Sequence, residues 1–177
     1  MEKSEIKAMA KVAIILAAIT SASALIVSAV NLFTGARIAT NRLNKEKQGL
    51  EAVFEGADID KKAFEINQGS LKKYWTVVTK DGEAARIYSA SGKNGYGAVS
   101  ILIGLYSDFT LGRMEILENT ETYGATLNKE YIAPYQYAET PEDRAFALDD
   151  VTCGATYGAK LIKGMVNEAI AHYKEAM

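Results

Sequence analysis

The sequence predicts an α+β fold: a single N-terminal transmembrane helix, then a domain with a mostly antiparallel sheet flanked by helices. Three observations predict it. Residues 12–33 hold no ionisable side chain and run roughly 22 residues, enough to cross a bilayer core as a helix. Strand signals cluster between Tyr74 and Leu117 and are separated by turn residues rather than by helical segments. From Tyr157 onward, apolar residues recur three and four positions apart, the period of an amphipathic helix.

The apolar N-terminal run is dominated by Ala, Ile, Leu and Val, and Thr20, Ser21, Ser23 and Ser28 can bond back to helix carbonyls. A cleaved signal peptide is the alternative, since Ser21-Ala22-Ser23 has the small side chains of a cleavage site. The run continues through Leu25-Ile26-Val27 to Leu32-Phe33, which favours a retained anchor. Lys3, Lys7 and Lys11 precede it and Arg37, Arg42, Lys45 and Lys47 follow, so flanking charge does not orient the span. Ala17, Ser21, Ala24 and Ser28 form a small-residue stripe that suits close approach of another helix, or that reflects composition alone.

From Gly35 to about Glu55 the pattern is helical, with Leu43, Leu50 and Phe54 near one face, and this helix is expected to lift the domain from the membrane. Residues 56–69 are polar and turn-like and read as a solvated loop; the acidic pair Asp58 and Asp60 lacks the spacing of a calcium loop. Residues 74–79 are β-rich, Asp81-Gly82 is a hairpin signal, and residues 84–90 form the returning strand. Residues 91–97 read as a glycine loop around Tyr96. The apolar run 98–106 fits a central strand buried on both faces, and residues 111–117 form another strand. Residues 127–137 look like a short helix broken by Pro134. The closing helix presents Leu161, Ile162, Met165, Val166, Ala169, Ile170 and Tyr173 to the sheet. The chain thus divides into a transmembrane anchor over 1–35, a helical linker over 36–70 and a sheet domain over 71–177.

Composition narrows the chemistry. A net charge of -2 gives no basic field for nucleic acid. The single cysteine, Cys153, excludes an intrachain disulfide framework and cysteine-based clusters, and the single histidine, His172, excludes histidine-rich metal sites. A catalytic triad would have to draw on His172 in the closing helix, so no catalytic residue and no metal ligand is assigned. Redox chemistry in such a chain falls to an organic cofactor.

One segment carries such chemistry. In Asp150-Val151-Thr152-Cys153-Gly154-Ala155-Thr156 a hydroxyl follows a flexible glycine turn at the mouth of a helix. Helix N-termini have unpaired N–H groups and partial positive charge, which suit a phosphate. The plainer reading is Thr156 as an N-cap. The segment resembles the flavinylation motif Asp-x-x-(Ser/Thr)-Gly-Ala-Thr of the membrane-anchored FMN-binding proteins, the family that includes the G subunit of Rnf complexes and the related C subunit of the sodium-pumping NADH–quinone reductase. The chain's length favours the Rnf branch.

The resemblance implies that residues 71–177 are an FMN-binding domain, with FMN bound covalently by a phosphoester to Thr156. Gly154 and Ala155 would leave room for the phosphate, and Asp150 would cap or order the turn. Cys153 stands where the family has Ser or Thr, which removes any hydroxyl bond made there. Glu121-Thr122-Tyr123-Gly124-Ala125-Thr126 resembles the family's Glu-Thr-Pro-Gly-Leu-Gly, matching at Glu121, Thr122 and Gly124. There the loop lies against the flavin, so Thr122 would bond the ring system, while Tyr123 stacks on it or merely fills the turn. Gly95-Tyr96-Gly97-Ala98 resembles Gly-Tyr-Gly-Gly, a tight loop near the ring.

The function so implied is electron carriage in an ion-translocating ferredoxin:NAD oxidoreductase. The implied partners are its integral-membrane subunits, the lipid bilayer and a flavin transferase for maturation, with the C-terminal domain outside the cytoplasmic (inner) membrane. Two rivals stand beside it: a free-standing extracytoplasmic flavin carrier for another membrane reductase, and a cofactor-free membrane-anchored scaffold.

Overall fold

The computed structural model describes residues 3–127, 132, 144–145 and 154–177, with side chains from residue 6 onward. Contacts divide the chain into two compact units, Met1–Asn44 and Lys45–Met177. Helix α1 (Lys3–Val53) contributes residues to both. In the first unit its apolar side chains stand open, Leu32 and Phe33 being 79% and 80% exposed, as a lipid-facing helix requires. Thr20, Ser23 and Thr34 donate their hydroxyls to the carbonyls four residues back, at 2.8, 2.9 and 2.8 Å, which keeps polar hydrogens satisfied without water. This helix is long and apolar enough to cross a membrane.

Among the described residues the second unit has six strands: β1 (Asp58–Ile59), β2 (Phe64–Gln68), β3 (Leu71–Val78), β4 (Ala84–Asn94), β5 (Gly97–Tyr106) and β6 (Leu111–Asn119). Every pairing is antiparallel, in the order β1-β3-β4-β5-β6, with β2 also on β3. The expected α+β architecture is therefore present. The β3–β4 hairpin turns at Asp81-Gly82, where Gly82 has φ 82° and the Thr79 N–H meets the Glu83 carbonyl at 2.9 Å.

Two readings of the sequence need correction. Residues 56–69 are not simply a solvated loop, because β1 and β2 pair with opposite ends of β3. As short, largely exposed edge strands they lack the buried alternation that announces a strand. Residues 91–97 are not simply a glycine loop either. The ladder runs from Ala85↔Tyr106 to Asn94↔Gly97, leaving only Gly95 and Tyr96 to turn. Glycine marks a strand poorly, yet cross-strand bonding carries the pair through Gly92. The proposed helix over 127–137 lies almost wholly outside the described residues.

Alternation along the strands makes two apolar layers. Tyr88, Ala90, Ile101, Ile103 and Leu105 pack with Ile162, Met165, Val166 and Ala169 of helix α3 (Thr156–Glu175). Ala85, Ile87 and Leu102 face the other way, onto Trp75, Val77, Val53 and Phe54. β5 is thus buried on both faces, as its unbroken apolar run predicts. The last turn of α1 closes the second layer, and the Arg113 guanidinium donates to its Ala52 carbonyl at 3.1 Å, a cation at a helix C-terminus. Burial pushes the phenol pKa values of Tyr88, Tyr106 and Tyr173 upward.

Candidate functional site

The site is assembled from three turns that are distant in sequence. The first is the β4–β5 turn. The Asn94 side-chain oxygen accepts the N–H groups of Tyr96 at 2.7 Å and Gly97 at 3.2 Å, an Asx turn that fixes the Tyr96 backbone. Its amide donates to the Glu121 carboxylate. Gly97 is required by crowding: a Cβ there would run into the Thr120 carbonyl and lie 2.6 Å from the Glu121 nitrogen.

The second turn leaves β6. Asn119 organises it, accepting the Glu121 N–H at 2.9 Å and donating to the Gly124 carbonyl at 3.3 Å. Gly124 and Thr126 belong to a single helical turn, α2 (Gly124–Thr126). The Thr122 hydroxyl donates to the Tyr96 carbonyl at 3.4 Å, which ties the second turn to the first. Tyr123 points outward and is 60% exposed.

The third turn opens α3. Gly154 adopts φ 75°, a conformation that costs a residue with a Cβ about 1–2 kcal/mol. Among the described residues the atom nearest its Cβ position is Thr126 Cγ2 at 3.9 Å. Ala155 is buried as the N-cap, and Thr156 is exposed as the first helical residue. Thr156 is therefore not the cap that the plainer sequence reading made it. Ala155 supplies no side-chain cap and the first turn has no acidic residue. The leading N–H groups of α3 thus have no side-chain cap among the described residues, the arrangement that favours an anion. Tyr157 stacks on Tyr96, with centroids 5.0 Å apart and planes inclined by 30°. Gly158 admits the second turn, since its Cβ position lies 2.6 Å from Leu127 Cδ1 and 3.3 Å from the Glu121 carboxyl carbon.

The structure thus brings Tyr96, Glu121, Thr122, Gly124, Gly154, Ala155 and Thr156 to one end of the sheet. Thr122 spends its hydroxyl on the Tyr96 backbone, so it supports the site from behind. Asp150 and Cys153 lie outside the described residues. Sequence reasoning missed Asn94, Asn119 and Tyr157. An asparagine just before Gly-Tyr-Gly was the available signal for the Asx turn; nothing local foretold that Tyr157 would meet Tyr96.

Comparison with known families bears on the other end of the chain. Residues 1–53 match the family model described as the RnfG N-terminal region. Over this segment the chain is similar to RnfG. The match supports an RnfG-type subunit. No curated protein matches it.

Proposed function

We propose that this RnfG-type chain is an electron-relay subunit of an ion-translocating ferredoxin:NAD oxidoreductase, with FMN held covalently by a phosphoester to Thr156. The observation that carries the proposal is the convergence of three turns on an exposed threonine at the N-terminus of α3. The residues fit the group. A phosphate on the Thr156 oxygen would sit at the positive end of α3, and among the described residues nothing comes closer than 3.9 Å to the Cβ position of Gly154. The Asn94 and Asn119 bonds hold the neighbouring turns in place before any ligand arrives.

FMN would supply single-electron transfer, so this chain needs no substrate-binding cleft and no proton-transfer residue of its own. Its residues hold and orient. A covalent tether keeps the cofactor from diffusing away and removes the entropic cost of rebinding it. The Thr156 hydroxyl is a weak nucleophile, so a separate flavin transferase makes the bond. The RnfG N-terminal match favours an Rnf subunit over a free-standing carrier. The proposal includes the domain lying on the extracytoplasmic side of the cytoplasmic membrane.

The test is co-expression with a flavin transferase, followed by a denaturing gel viewed under ultraviolet light. A fluorescent band that vanishes in Thr156→Ala supports the proposal. A dark wild-type band supports a cofactor-free scaffold.

A further inference from the structure

Beyond α1, the described residues leave six large apolar or aromatic side chains exposed: Phe64, Val78, Tyr96, Tyr123, Tyr157 and Met177. Half of them stand on the three turns around Thr156. Tyr96 and Tyr157 go further, because they stack on each other while remaining 53% and 60% exposed. Keeping aromatic surface in water is unfavourable, and an exposed aromatic cluster marks a place where something else binds. Both rings are set on fixed backbone. Tyr96 is held through Asn94 and Thr122, and Tyr157 is the second residue of a long helix whose inner face is buried.

We infer that the Tyr96–Tyr157 pair is the shelf on which the isoalloxazine ring of the Thr156-linked flavin stacks. The inference rests on FMN attachment at Thr156 and adds Tyr157 as a positioning residue. Tyr157 adjoins the attachment point, and a five-carbon ribityl chain lets the ring fold back onto a neighbouring aromatic. A flat, electron-poor ring prefers offset contact with an electron-rich phenol. Such contact quenches flavin emission and, by favouring the oxidised ring, lowers its reduction potential.

The test uses the full chain, purified in detergent after co-expression with a flavin transferase. Intact mass reports flavin content, and flavin emission is compared between native and guanidinium-unfolded samples. Native wild type is expected to emit several-fold less than unfolded. Tyr157→Ala and Tyr96→Ala are expected to stay fully loaded, regain most of the emission and shift the potential upward. Tyr157→Phe keeps the ring and is expected to stay quenched. Loaded wild type that emits equally in both states overturns the shelf alone, as does a loaded Tyr157→Ala that remains fully quenched. A wild-type chain of bare polypeptide mass overturns FMN attachment and the shelf with it.

Discussion

Thr156 and Gly154 divide the work of the third turn between chemistry and space. In the proposed attachment Thr156 offers the oxygen, and Gly154 supplies the positive φ that turns the chain into α3. Gly154→Val is expected to cost about 1–2 kcal/mol of backbone strain and to crowd the phosphate, so flavin incorporation should fall well below wild type while the chain still folds. In-gel fluorescence normalised to protein stain checks this. Thr156 was legible in the sequence because its chemistry is local: a hydroxyl, a glycine and a helix start lie within three residues. Tyr157 was not, because its meaning depends on a ring brought from a turn some sixty positions earlier. The sequence singles out Thr122 as a candidate to bond a flavin ring, whereas its hydroxyl is directed at the Tyr96 carbonyl, a detail that spacing alone does not encode.

Helix α3 links the site to the core, since it carries Thr156 at its mouth and buries Ile162, Met165, Val166 and Ala169 against the sheet. Ile162→Ala, at a fully buried position, is expected to destabilise the domain by about 2–5 kcal/mol, read as a lower urea midpoint. Alkali should act on both apolar layers, through Tyr88 and Tyr173 in the first and Tyr106 in the second. Burial raises the phenol pKa values of Tyr88, Tyr106 and Tyr173, so each favours the folded state while protonated. That stability is fully present below the unfolded phenol value of about 10 and is lost as pH rises through the raised folded values. Unfolding and the tyrosinate absorbance of these residues should therefore appear together above about pH 10 in an alkaline titration. At this scale periodicity identified α3, β5 and the β3–β4 hairpin. It missed β1 and β2, whose exposed faces do not alternate, and it undercounted β4, whose end runs through a glycine.

The whole molecule is an exposed apolar helix followed by a self-contained sheet domain, and the boundary between the units falls between Asn44 and Lys45. Removing residues 1–44 is expected to move the protein from the membrane fraction to the soluble fraction with its sheet intact. Removing residues 1–55 should instead yield an unfolded or aggregated product, because Val53 and Phe54 belong to the second apolar layer. Membrane fractionation and circular dichroism of the two truncations separate these outcomes. The membrane anchor and the RnfG-type assignment both lie in the N-terminal segment. The flavin assignment rests instead on geometry at the other end of the chain. Intact mass of the full-length chain from cells that express a flavin transferase tests that assignment most directly. The account predicts the polypeptide plus one FMN less the water lost on esterification, and the unmodified polypeptide for Thr156→Ala. A wild-type chain at its unmodified mass, from cells shown to flavinylate another substrate, would contradict it.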